Sequence, residues 1–220
     1  MQPYYQNKLG TLYQGDCRNI LFNIDADVVV TDPVWPNAPA GQLQGSDDPF
    51  SLFREMIQQV KPRRFVIIMR FDSDPRFLSA IPAEYPFFRS IQLPYVIPGY
   101  IGRKLGGDEI AYWFGEPIKY APGRRCIPGR APSAQPNSRP PNGHPCSRAQ
   151  MHFDWLIKWC SDEDETVVDP FLGSGTTAVA CKKHNRRWIG IEIERKYCDL
   201  TIQRLQQQPK SLMSMMEETT

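Results

Sequence analysis

The chain has 220 residues, of which 41% are hydrophobic, and a formal net charge of +2. This length suits one sizeable core and is short for two full domains. No run approaches the roughly 18 apolar residues of a membrane span, and the first five residues lack a basic and then apolar leader. We therefore expect a soluble, cytoplasmic protein without a membrane partner, in which any nucleic-acid surface is a local one.

The six cysteines are scattered along the chain without a Cys-x-x-Cys pair. A chain of this size does not need disulfide bonds to fold, and zinc sites commonly use closely spaced ligands. We therefore predict free thiols and no metal site.

Short β-prone runs alternate with helical stretches. In chain order, we predict strands at 11–15 and 27–31, a helix at 49–60, strands at 64–70, 89–93 and 110–114, a helix at 148–160, a strand at 166–169, a helix at 175–184, a strand at 188–193 and a helix at 194–207. Runs such as Val28-Val29-Val30 are typical of strands buried on both faces. The pattern predicts an α/β fold with a mostly parallel seven-stranded sheet and helices on both faces.

A glycine turn, residues 171–177, joins the predicted strand at 166–169 to the following helix. Gly173 and Gly175 allow a tight turn and close approach to a ligand, and Thr176 or Thr177 can satisfy the first amides of the helix. Glu192 follows Gly173 by 19 positions, the offset at which an acid accepts hydrogen bonds from ribose hydroxyls. The missing third glycine argues against NAD or FAD, so the pattern indicates another adenosine-containing ligand. The alternative is an ordinary turn with a surface glutamate.

A second cluster, the Asp32 segment (residues 31–35, Thr-Asp-Pro-Val-Trp), follows the predicted strand at 27–31. Ligands of open α/β sheets gather at the carboxyl ends of strands. Together the two clusters resemble the amino-methyltransferase family that makes N6-methyladenine or N4-methylcytosine, whose signature is Asp/Asn/Ser-Pro-Pro-aromatic. Because Asp32 precedes Gly173, the chain is similar to the circularly permuted, beta-type subgroup, which implies a Rossmann-like sheet.

The resemblance extends to Tyr13–Cys17, similar to the family's Gly-Asp element, and to His144-Pro145, similar to its His-Pro element. It implies S-adenosylmethionine as the cofactor, with Asp16 near the adenine, and His144 and Asp169 near the methionine end. Asp169 has the alternative role of capping its turn, and His144 that of a surface histidine. The complete set of implied cofactor contacts is Asp16, Cys17, Asp32, His144, Asp169, Phe171, Gly173, Ser174, Gly175, Thr176 and Glu192.

The chemistry explains the Asp32 segment, because the exocyclic amino nitrogen of a base is a poor nucleophile. If the Asp32 carboxylate and the Pro33 carbonyl each accept one amino hydrogen, the lone pair can point at the methyl donor. A base in a duplex must first swing out, and Trp35 would stack on it. We therefore predict Asp32, Pro33 and Trp35 as catalytic residues, with Trp35 as a buried core aromatic the alternative.

Val34 departs from the family, which usually has its second proline there. Valine leaves this turn less constrained than proline would. The departure keeps open a catalytically silent relative that binds the cofactor or DNA.

A basic segment, residues 116–150, holds six cations against one acid and is dense in proline and glycine. This composition predicts a long irregular insert. We predict that its arginines contact DNA phosphates, against the alternative of a solvated, mobile loop. The predicted contacts are Arg124, Arg125, Arg130 and Arg139.

The domain organisation follows from these assignments. Residues 1–115 and 144–207 are expected to be the catalytic and cofactor-binding halves of one domain, 116–143 the target-recognition insert and 208–220 a flexible tail. The predicted function is site-specific N6-adenine methylation of DNA, as in restriction-modification. N4-cytosine or RNA methylation and a silent relative are alternatives, a homodimer is open, and the expected location is the cytoplasm of a bacterium or phage-infected cell.

Overall fold

The computed structural model describes residues 2–38, 41, 43–96, 99–101, 104–106, 108–119, 127–135 and 147–207. The strands are β1 Tyr5–Gln6, β2 Gly10–Gln14, β3 Val28–Thr31, β4 Arg64–Arg70, β5 Phe87–Leu93, β6 Gly99–Ile101, β7 Lys104–Gly106, β8 Glu109–Gly115, β9 Thr166–Asp169 and β10 Arg187–Glu192. The α-helices are α1 Pro49–Gln58, α2 Gln150–Cys160, α3 Thr176–Lys183 and α4 Arg195–Gln206.

Eight strands form one sheet in the order β1-β2-β10-β9-β3-β4-β8-β5, and β6 and β7 form a separate hairpin. Five adjacent strands of this sheet, β2, β10, β9, β3 and β4, pair in parallel. Strand β1 is antiparallel to β2, and β8 is antiparallel to both β4 and β5. As a result β3, β9 and β10 end next to one another at the same edge.

Both faces of the sheet are buried, which the alternation along β3 illustrates. Val28 and Val30 pack on the face covered by α2, α3 and α4, and Val29 packs on the face covered by α1. Successive side chains of a strand point to opposite faces, so a run of three valines serves both cores. Side chains therefore cover both faces of the central strands, and this packing positions the ends of those strands.

The predicted α/β fold class is confirmed, and each predicted strand and helix appears with ends within two residues of those expected. The eighth strand, β1, has only two residues, too few to show a periodic pattern. Of the six cysteines, Cys17, Cys160, Cys181 and Cys198 are buried free thiols, and the other two lie outside the described residues.

The predicted insert falls partly on residues 120–126 and 136–146, which lie outside the described part of the chain. The division into two catalytic halves and an insert therefore stays a prediction. Among the described residues, none of the helices has the length and apolar character needed to cross a bilayer.

Candidate functional site

A pocket opens at the edge where β3, β9 and β10 end, and both predicted clusters line it. The Thr31 hydroxyl at the end of β3 donates a hydrogen bond of 2.6 Å to Oδ1 of Asp169 at the end of β9. This bond ties the Asp32 segment to the end of β9, the strand that leads into the glycine turn. Two sequence clusters that are more than 130 residues apart therefore share one pocket.

The glycine turn depends on backbone conformations that favour glycine. Gly173 has φ +54° and Gly175 has φ +79°, both in the left-handed region. A Cβ at Gly175 would also lie 2.6 Å from the Thr201 hydroxyl of α4. The turn can therefore pack against α4 only because this position lacks a side chain.

Glu192 is buried at the end of β10 and closes the turn from the other side. Its Oε2 accepts from the Gly173 amide and its Oε1 from the Glu194 amide, each at 2.8 Å. Burial raises the pKa of Glu192, although both amide hydrogen bonds oppose the shift. A carboxylate has about four acceptor sites, so two remain for a ligand.

Asp169 is hydrogen-bonded both to the neighbouring strand β3 and to residues that follow it in the chain. Its carboxylate accepts from the hydroxyls of Thr31 and Thr177 and from the Phe171 amide. Burial raises the pKa of Asp169 to about 6, against these hydrogen bonds. Asp169 lines the pocket, and its contacts match the alternative role of capping the turn. Its contact with the methionine end of the cofactor stays a prediction.

Asp16 and Cys17 line the pocket beside β2. Asp16 pairs with Arg18 at 2.6 Å, and that hydrogen bonding holds the pKa of Asp16 below its usual value. Arg18 reaches Glu55 of α1 at 2.8 Å. Burial raises the pKa of Cys17 to about 12, so its thiol is protonated at neutral pH and is an apolar wall rather than a nucleophile.

Asp32 forms a buried ion pair with Arg148, which precedes α2. Arg148 Nε donates to Oδ2 of Asp32, and Nη2 donates to Oδ1 at 3.2 Å. Burial raises the pKa of Asp32 to about 7, opposed by the charge of Arg148. The composition of residues 116–150 predicts Arg148 only as one more cation of a basic surface. That prediction is wrong for this residue, because its side chain is only 10% exposed.

Trp35 is buried, with 4% of its surface exposed, beneath the Arg148 guanidinium at 4.3 Å from the ring centroid. Its Nε1 donates to Oδ1 of Asp32 at 2.8 Å. The indole offers almost no exposed face in this structure, as the alternative of a core aromatic requires. Stacking of a base on Trp35 stays a prediction that needs Arg148 to move. Pro33 and Val34 are buried beside it in the pocket wall.

A second carboxylate, Glu109 of β8, holds the far side of Arg148. Arg148 Nη1 donates to Glu109 Oε1 at 2.8 Å, and the Tyr95 hydroxyl lies 3.1 Å from both Glu109 oxygens. His152 Nδ1 is 4.0 Å from Glu109, and burial lowers the pKa of this histidine, which favours the neutral ring. Sequence reasoning missed this cluster because its members are far apart in the chain.

The remaining predicted residues divide into three groups. Phe171, Ser174 and Thr176 line the pocket, and Arg204 of α4 donates to the carbonyl and hydroxyl oxygens of Ser174. Arg130 is exposed and lies outside the pocket lining, where its backbone forms an isolated β-bridge with Gln92 near the end of β5. His144, Arg124, Arg125 and Arg139 lie outside the described residues.

The pocket lining is acidic. It contains five carboxylates against three cations, and two of those cations are paired with Asp16 and Asp32. Phe171 and Tyr197 add aromatic surface. These carboxylates and aromatic rings suit a ligand that combines a positive charge with hydroxyl and amino groups. The five carboxylates are Asp16, Asp32, Asp169, Glu192 and Glu194.

Comparison with known proteins gives a family match over most of the chain. A family described as DNA methylase, with N6 and N4 members, matches residues 26–203. The Type II methyltransferase M.ScaI of Streptomyces caespitosus is 41% identical over 69 residues, which are 31% of this chain and 23% of that protein. Matches to four such curated relatives span 19–24% of the relatives' own lengths.

Two solved structures share the fold. M1.HpyAVI in complex with SAM aligns with a TM-score of 0.70 and 23% identity, covering 90% of this chain and 100% of that one. PvuII DNA methyltransferase (cytosine-N4-specific) aligns with a TM-score of 0.68 and 18% identity, covering 98% of this chain and 93% of that one.

Proposed function

The chain belongs to the N6/N4 DNA methylase family, and on that premise we propose that it transfers a methyl group from S-adenosylmethionine to the N6 amino group of adenine in DNA. One observation carries the proposal: the Asp32 segment and the glycine turn meet in one pocket, joined by the Thr31–Asp169 hydrogen bond. A carboxylate that can receive an amino group therefore lies beside a turn suited to an adenosine ligand.

The residues present fit the methyl donor. Glu192 keeps two acceptor sites for the ribose, and Asp16 lies near it because the Gly15 amide donates to the Glu192 carbonyl at 2.9 Å. Phe171 and Asp169 provide aromatic and acidic surface for a cationic group. When bound, S-adenosylmethionine supplies an electrophilic methyl group.

Asp32 and Pro33 act on the target base. The Asp32 carboxylate accepts one amino hydrogen and the Pro33 carbonyl accepts the other, so the nitrogen lone pair is turned out of the ring system. This orientation and the exclusion of bulk water are the main contributions of the protein. Asp32 is also placed to take the amino proton that must leave after methylation.

DNA and adenine are the substrates that we propose, with cytosine, RNA and a silent relative as the other outcomes. The matching family is described as DNA methylase, and by analogy with that family an aspartate rather than a serine at position 32 favours adenine. Duplex DNA requires the target base to leave the helix.

A labelled-methyl assay separates these outcomes. The protein is incubated with methyl-labelled S-adenosylmethionine and, in parallel, duplex DNA, single-stranded DNA and RNA, and the products are digested to nucleosides for mass identification. We expect N6-methyldeoxyadenosine from duplex DNA. Label in N4-methyldeoxycytidine would change the base, label in RNA would change the polymer, and calorimetric binding of the donor without transfer would indicate a silent relative.

A further inference from the structure

The Asp32 carboxylate makes three hydrogen bonds to protein groups. Its Oδ1 accepts from Trp35 Nε1 and from Arg148 Nη2, and its Oδ2 accepts from Arg148 Nε. Because an ionised carboxylate has about four acceptor sites, one site remains, and it lies on Oδ2. The count matches the requirement of the proposed reaction, in which Asp32 receives a single amino hydrogen.

We propose that Arg148 and Trp35 are positioning residues that occupy three acceptor sites of Asp32 and present the fourth to the target amino group. This inference rests on the proposed function and assigns roles to two side chains of the same site. It also gives Trp35 the role of a donor that orients the carboxylate, beside the predicted stacking role, which stays a prediction.

The anchoring of Arg148 supports positioning rather than transient blocking of the pocket. Its Nη1 is held by Glu109, which in turn contacts the Tyr95 hydroxyl, and its guanidinium lies over the Trp35 ring. Glu109 is buried in β8, a strand that pairs with β4. An arginine fixed at two carboxylates and one aromatic face keeps a defined geometry, which a planar guanidinium suits better than an ammonium group does.

Arg148 also controls the charge of Asp32. The groups that face this carboxylate are Arg148 before α2, Glu109 from β8 and, through Thr31, Asp169 from β9; His152 of α2 faces Glu109. Burial and Glu109 raise the pKa of Asp32 and Arg148 lowers it. Loss of the guanidinium charge would leave two buried carboxylates without their shared counter-ion, so protonation of Asp32 would extend to higher pH.

The test compares kcat against pH for wild type, Arg148→Met, Arg148→Lys and Trp35→Phe. An ionised Asp32 is required, so kcat should fall as the pH drops through about 7 in the wild type. We expect Arg148→Met to move this acid limb upward by about one pH unit or more, because an adjacent opposite charge shifts a pKa by roughly 1–3 units. Arg148→Lys should keep the limb near its wild-type position and lower kcat, and Trp35→Phe should lower kcat about tenfold.

A second readout does not depend on activity. The carboxyl carbon of Asp32, labelled with 13C and assigned by loss of its signal in Asp32→Asn, is titrated by NMR in wild type and in Arg148→Lys and Arg148→Met. A higher midpoint in Arg148→Met alone supports the proposal. If wild type methylates no nucleic acid, the proposed function fails, and this titration still tests the pairing.

Two results would overturn the positioning roles. An unchanged acid limb and unchanged midpoint in Arg148→Met would reduce the pair to a structural contact. A higher kcat or a lower KM for DNA in that variant would mean that Arg148 occupies the place of the base and must leave. If Arg148→Met does not fold, Arg148→Lys decides: a wild-type kcat in that variant contradicts the need for the two-nitrogen contact.

Discussion

Two buried arginine–carboxylate pairs lie at opposite edges of the sheet. Arg148 and Asp32 meet at the carboxyl ends of the parallel strands, in the pocket wall. Arg64, the first residue of β4, meets Glu165, just before β9, at 2.6 Å, and neither is more than 2% exposed. The two pairs have the same chemistry, so their surroundings determine what each can do.

The Arg64 pair is closed. Arg64 also donates to the carbonyl of Glu116 at 2.9 Å, and Glu165 also accepts from the Asp162 amide at 2.7 Å. By the same count Glu165 also keeps one acceptor site beside Arg63, Arg64 and the Asp162 amide, but its side chain is only 2% exposed. The Arg148 pair, by contrast, lines a pocket, from which a ligand can reach the remaining acceptor site of Asp32. A buried ion pair is weak evidence for added stability, because desolvation offsets much of the attraction. The comparison therefore indicates a structural role for the first pair and a functional one for the second.

Asp32→Asn should have the largest effect on activity. The amide keeps the size of the side chain but presents only one acceptor oxygen and carries no charge. We expect kcat to fall by about 10²–10⁴-fold, the usual range for a group that handles protons. The measurement is labelled-methyl transfer under single-turnover conditions. Donor affinity, measured by calorimetry, serves as the comparison and should fall far less than kcat, although Asp32 also lines the donor pocket.

Arg64→Met should act on stability instead. Removing Arg64 leaves buried Glu165 with only the partly exposed Arg63, at 3.3 Å, as its counter-ion, so we expect a loss of up to about 3–5 kcal/mol. Urea denaturation measures this loss, and kcat per folded molecule should stay at the wild-type level. If Arg64→Met shifted the acid limb of kcat as Arg148→Met is expected to, the contrast between the two pairs would be wrong.

Glu192→Gln tests the ribose site. The substitution weakens hydrogen bonds to a charged acceptor, so we expect donor affinity to fall about tenfold. Calorimetric titration with S-adenosylmethionine measures this change. Glu194→Gln, which changes a neighbouring carboxylate of the pocket lining, is the matched control and should have a smaller effect. Equal losses of donor affinity in the two variants would mean that the negative charge of the pocket lining, rather than the hydrogen bonds of buried Glu192, holds the donor.

Gly175→Ala tests whether the turn must be free of side chains. The new Cβ would meet Thr201 and would stand at a positive φ, so we expect a loss of about 1–3 kcal/mol in unfolding free energy. Gly41 has a similar φ of +75°, and a Cβ at that position would have nothing within 4 Å. Gly41→Ala therefore isolates the backbone cost, and thermal melts of the two variants should differ.

Arg130→Gln should have the smallest effect. One exposed arginine that contacts a phosphate contributes about one unit to the slope of log affinity against log salt. DNA binding over a salt series measures the slope, with Arg76→Gln as a control at another exposed arginine. An unchanged slope would remove Arg130 from the DNA surface.

The features of the fold and the site that could be predicted from the sequence are those that depend on a local residue pattern. The strands, the glycine turn and the acids at the strand ends follow from runs of adjacent residues, and the parallel arrangement brings Asp32, Asp169 and Glu192 to one edge. The contacts of Arg148 did not follow, because they join residues 116 positions apart and depend on how α2 approaches the sheet. The burial of Trp35 depends on the same packing, and so it too was open.

The most direct test of the central claim is the crystal structure of the protein with S-adenosylmethionine bound. We expect the donor in the pocket between the glycine turn and the Asp32 segment, with its ribose on Glu192. A donor bound elsewhere, with Glu192 and Asp32 free of contact, would show that this pocket is not the methyl-transfer site.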